Sequence, residues 1–141
     1  MTDHEMRIRL AEAMRWTDLE PVSQCGRMHG LWGTEPAGWF APGSRARTGI
    51  IAPNPLESDS DAARLRAWCV GQGWNVTVCH HIVDCRCAVW PRGVPLYGFK
   101  GILGLSAVRI DEESDHCSRE RRVTCEAVIQ ALDTIEAGGG A

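Results

Sequence analysis

Nine consecutive residues, Cys79 to Cys87 within the stretch NVTVCHHIVDCRCAVW (75–90), hold three cysteines and two histidines. Thiolate and imidazole are the donors zinc prefers, four of them in a tetrahedron at roughly 2.0–2.3 Å. They are also the pair a cysteine nucleophile requires, with histidine as its base. Spacing separates these chemistries. Zinc loops repeat a short two-residue gap between cysteines, whereas this pattern is C-x5-C-x-C. Cys79 and His81, two positions apart on one strand face, would stand roughly 7 Å from each other, too far for a direct hydrogen bond.

The same stretch has the period of a hairpin. Trp74, Val76, Val78, His80 and Ile82 alternate with Asn75, Thr77, Cys79 and His81, a period of two rich in β-branched residues that predicts a strand. Cys85 to Trp90 reads as its partner, with Val83-Asp84 near the turn. One face then carries Val76, Val78, His80, Ile82, Cys85, Cys87 and Val89. The other carries Thr77, Cys79, His81, Arg86, Ala88 and Trp90. Only His80, Cys85 and Cys87 share a face, and it is the apolar one. They are the ligand set if zinc is bound, with His116, Cys117 or Cys125 as candidates for a further ligand. The simpler expectation treats the cysteines as small buried hydrophobes, with no catalytic residue, no resident metal and zinc only as an alternative.

Other fragments of chemical motifs fall short. His4-Glu5 begins a zincin motif, but Ile8 stands where the second histidine is needed. Asp111, Glu112, Glu113 and Asp115 lack the spacing of a calcium loop and read as the acidic start of a helix. Gly101 to Gly104 has the outline of a backbone-clamping GxxG turn. No phosphate-binding loop or nucleophile elbow occurs. Arg45 and Arg47 near Trp39 offer charge and a stacking ring to a nucleotide. Arg119, Arg121 and Arg122 read as a solvated helix face.

The elements that must position these residues are a helix, an irregular segment, a helix, three strands and a helix. Thr2 and Glu5 form a capping box, and Met6, Leu10, Ala13 and Met14 follow at helical spacing, placing a helix over about 3–15. Residues 20–57 hold so many glycines and prolines that they predict an irregular insert with one or two short strands, anchored by Trp32, Trp39 and Phe40. A second helix is capped at Ser58 or Ser60 and stops at Gly71. Leu105 to Asp111 reads as a third strand of the hairpin's sheet, with an edge segment at Leu96 to Phe99. A last helix starts between Ser114 and Ser118, with Cys125, Val128, Leu132 and Ile135 as its buried stripe. The expected fold is α+β, a three-layer α/β/α sandwich around a small, mainly antiparallel sheet of three to four strands. It forms one domain over 1–137, with a flexible tail at 138–141.

The 141 residues carry a net charge of −3, with 44% hydrophobic and 23% charged residues. That charge is too small for broad electrostatic attraction to nucleic acid. No segment approaches the ~20 apolar residues of a spanning helix, and the N-terminus lacks a leader pattern. Seven cysteines cannot all pair internally, which suits a reducing compartment.

The segments IRLAEAMRW (8–16), PNPLESDSDAARLRAWC (53–69), the hairpin with Trp90 and CEAVIQALD (125–133) together resemble the phage ABA sandwich domain family of small phage and prophage proteins. The insert before Pro53 and the stretch 111–122 are longer than that pattern. The resemblance implies an α/β/α sandwich and viral origin, and it brings no catalytic residue. It leads to the expectation of a non-enzymatic phage accessory protein in the host cytoplasm that binds, and inhibits, a host defence complex. The expected contact residues are Trp32, Trp39, Arg45 and Arg47, because exposed Trp and Arg dominate interface hot spots. A sponge for a small anionic nucleotide is the alternative ligand-binding reading, and a zinc-binding module the second. Neither membrane nor nucleic acid is expected as a partner.

Overall fold

The computed structural model describes residues 1–23, 29–93, 101–110 and 115–138. The chain is α+β, built of helices and two antiparallel three-stranded sheets. It divides into two compact units, Met1–Asn54 and Pro55–Ala141.

In the first unit α1 (Asp3–Ala13) starts where its capping box requires. The Glu5 N–H donates to Thr2 Oγ1 at 3.1 Å, and the Thr2 N–H donates to Glu5 Oε2 at 2.8 Å. Met6, Leu10 and Ala11 face inward. Arg7 is buried with them, and its guanidinium donates to the carbonyls of Ala52 (2.7 Å) and Pro53 (3.1 Å). A buried cation is tolerated only when its donors are satisfied in this way. The helix ends as Arg15 turns to φ 71°.

The expected irregular insert is instead a sheet, β1 (Thr17–Ser23), β2 (His29–Glu35) and β3 (Arg47–Ile51), in that order. Its glycines and prolines mark bulges, edges and close approaches rather than loss of strand. Pro21 lies in an edge strand. Register slips between Thr17 and Glu20, where Asp18 adopts φ 52°, and again between Gly33 and Glu35. A Cβ on Gly33 would lie 2.7 Å from Leu19 Cδ2 and 2.9 Å from the Thr17 carbonyl oxygen, so only glycine fits.

The second unit holds α2 (Asp59–Gly71), β4 (Trp74–His80), β5 (Asp84–Pro91), β6 (Gly104–Arg109) and α3 (His116–Ala137). Ser58 caps α2 by accepting from the Asp61 N–H at 3.2 Å. The β4–β5 register pairs Val76 with Val89, Val78 with Cys87 and His80 with Cys85, the two faces expected from the alternation. The turn falls one residue earlier than expected. His81 N–H donates to the Asp84 carbonyl at 2.8 Å, leaving Ile82-Val83 at the tip. Ile82, expected in the core, is 97% exposed.

Both helices pack on the sheet and on each other, over the face that buries Cys85, Cys87 and Val89. On the opposite face Thr77, Cys79, Arg86, Ala107 and Arg109 are exposed. α3 lies so close to β6 that a Cβ on Gly104 would fall on the Ala127 carbonyl. Gly104, read as part of a clamping turn, is therefore a glycine of helix-on-strand packing. The buried stripe of α3 runs through Val123, Cys125, Ala127, Val128 and Ala131, while Ile135 is 41% exposed. The expected edge segment Leu96–Phe99, the acidic residues 111–113 and the end of the tail lie outside the described residues. No helix among the described residues is long and apolar enough to cross a membrane.

Candidate functional site

The three strands of the first unit converge on a shallow depression of about 260 Å³, lined by Asp18, Glu20, Trp32, Gly33, Thr34, Thr48 and Gly49. Strand pairing explains the juxtaposition. Glu20 on β1 is the direct cross-strand partner of Trp32 on β2, and β3 contributes Thr48 and Gly49. The bulge after Thr17 turns Asp18 so that its carboxylate accepts from Thr34 Oγ1 at 2.9 Å. Two exposed carboxylates thus flank a half-buried indole. No lining residue is basic. Carboxylates and an indole without a basic neighbour suit a cation better than an anion.

The expected contact residues do not all line this depression. Trp32 lines the depression, but Trp39, Arg45 and Arg47 do not. Trp39 is half-buried and packs edge-to-face on buried Trp16, centroids 5.4 Å apart at 85°. Arg47 makes a bidentate pair with Glu35, Nε to Oε2 at 2.7 Å and Nη2 to Oε1 at 2.8 Å, and the Glu35 side chain is only 3% exposed. The guanidinium also lies over the Phe40 ring at 4.5 Å. Trp39 and Arg47 are therefore tied into the fold, and Arg45 stands exposed.

The cysteines follow the burial expectation in part: Cys79, expected in the interior with Cys85 and Cys87, is exposed on the other face of the sheet, and Cys117 is exposed on α3. Cys69, Cys85, Cys87 and Cys125 are buried. Burial pushes the thiols of Cys69, Cys87 and Cys125 up to about 12, and that of Cys85 upward as well. At neutral pH they hold their protons, which disfavours a role as nucleophile. The set His80, Cys85 and Cys87 forms no ligand cluster among the described residues.

His80 turns elsewhere. Its Nε2 lies 2.7 Å from Glu120 Oε1, and its ring stacks on His116, centroids 4.2 Å apart at 21°. His116 Nε2 lies 3.7 Å from the same oxygen. Glu120 escaped the sequence reading, which considered His116 only as a further ligand beside the cysteines, although the i,i+4 spacing of His116 and Glu120 on one helix face was available as a signal. The expected solvated arginine face is also partly structural. Arg121 donates to the Leu56 carbonyl (3.0 Å), to Asp59 (2.6 Å) and to Ser118 Oγ (3.1 Å), and its side chain is 14% exposed. Asp115, expected among cation ligands or at a helix start, is the N-cap of α3 and accepts from the Ser118 N–H at 2.7 Å.

Fold and geometry together define a two-unit α+β protein with an acidic, Trp-lined depression in its first unit and a His–Glu cluster in its second. No family model, curated protein or solved structure gives a significant match to the chain.

Proposed function

We propose that the protein acts by binding a protein partner through the first unit, seating a lysine or arginine side chain of that partner in the depression between Asp18, Glu20 and Trp32. One observation carries the reading: a half-buried indole flanked by two carboxylates, with no basic residue in the lining. A guanidinium or ammonium over a Trp face gains about 0.5–2 kcal/mol as it loses water, and the carboxylates add directional acceptors. The same chemistry disfavours the nucleotide-sponge alternative at this depression, since an anionic phosphate would meet Asp18 and Glu20. The resemblance to phage proteins supplies the setting in which a partner is to be sought, a host protein complex in the bacterial cytoplasm, where binding would inhibit.

A peptide titration followed by NMR tests the reading. A short lysine- and arginine-rich peptide should shift the Trp32 indole N–H, with affinity that falls as salt rises and is lost in Glu20→Gln. An acidic peptide of equal length should leave the resonance in place. Equal shifts from both peptides, or none from either, refute the proposal.

A further inference from the structure

The His80, His116 and Glu120 side chains are a second site, independent of the binding surface in residues 1–54. His80 is the last residue of β4. His116 and Glu120 project from the first turns of α3, one turn apart on the same face. The packing of α3 on β5 sets the two elements against each other, and Cys85, the cross-strand partner of His80, is fully buried in that layer. A strand end and a helix face are thus held at fixed separation, while the three side chains remain 37%, 61% and 38% exposed.

One ligand atom from each residue lies within 4.8 Å of the others. Around a tetrahedral ion with donors at about 2.0–2.2 Å, the donors stand roughly 3.3 Å apart. The distances from Glu120 Oε1 to His80 Nε2 (2.7 Å) and to His116 Nε2 (3.7 Å) bracket that value, and the two rings, stacked at 21°, must tilt apart for both nitrogens to face one ion. The two imidazoles and the carboxylate together offer three donors to one dication.

We infer that His80, His116 and Glu120 bind a divalent transition-metal ion, zinc by donor type, with the fourth position open to water. Two imidazoles, one carboxylate and an exchangeable position form a donor set that zinc accepts without thiolate. This replaces the cysteine-based ligand set considered from the sequence.

Calorimetric titration of the untagged full chain with Zn(II) should give one ion per chain. His116→Ala and Glu120→Gln should each weaken binding at least tenfold. His81→Ala, in the neighbouring turn and outside the cluster, should bind as the native protein does. Co(II) should give visible ligand-field bands without a near-ultraviolet sulfur charge-transfer band. Melting curves in EDTA that match the native curve establish that the variants are folded, and two variants at separate positions guard against the loss of either. The inference is overturned by absence of saturable Zn(II) binding in the native chain. Affinity unchanged in both variants, or a sulfur band abolished by Cys79→Ser, would overturn it equally.

Discussion

Burial assigns different chemistry to side chains of one type. Cys69, Cys85, Cys87 and Cys125 are enclosed, whereas Cys79 and Cys117 are exposed. Under native conditions at pH 8, a thiol reagent followed by peptide mapping should label Cys79 and Cys117 and leave the four enclosed cysteines unmodified until the protein unfolds. The same burial fixes the sign of an alkaline effect. Cys69, Cys87 and Cys125 keep their protons up to about 12 in the fold, while in the unfolded chain they titrate from their ordinary value of 9.0. Above pH 9 the native state binds more protons than the unfolded one, so stability falls as pH rises, by up to about 1.4 kcal/mol per pH unit for each thiol. Below pH 9 these groups contribute no slope. Denaturant midpoints between pH 8 and 11 check this. Arg47 presents a related case. Removing it leaves the Glu35 carboxylate enclosed without its bidentate donor. Arg47→Ala should therefore lower the melting temperature, and Glu35→Gln added to it should recover part of the loss.

Among the elements, those governed by local rules are the ones the sequence describes well. The α1 capping box, the Ser58 cap of α2 and the two faces of the β4–β5 hairpin appear at the expected residues. Each is decided by contacts between residues close in the chain. The sheet of β1, β2 and β3 was not legible, since its strands carry bulges and a glycine needed for close approach, and those features read as breakers. Gly104 shows the same difficulty in one residue. Its reason is the Ala127 carbonyl of α3, which no local pattern announces. Gly104→Ala should force α3 away from β6 and cost about 1–3 kcal/mol, the usual range for overpacking. A shift in the urea midpoint with an unchanged slope would measure it.

At the scale of the molecule, the division into Met1–Asn54 and Pro55–Ala141 gives each unit its own helix-and-sheet core. Arg7 closes the first by holding the backbone of Ala52 and Pro53. Arg7→Met should speed amide hydrogen exchange in β1, β2 and β3 while the protection of β4, β5 and α3 stays close to native. Uniform loss of protection would show one cooperative core instead. By itself the sequence determined the α+β class, the caps, the two faces of the hairpin and the burial of Cys85 and Cys87, because alternation, capping and hydrophobicity act over a few residues. Only the tertiary structure decided that residues 17–51 form a sheet, that Glu20 faces Trp32, that Arg47 serves Glu35, and that His80 meets His116 and Glu120 rather than cysteine. Those pairings join residues tens of positions apart, and their geometry is set by how strands and helices pack.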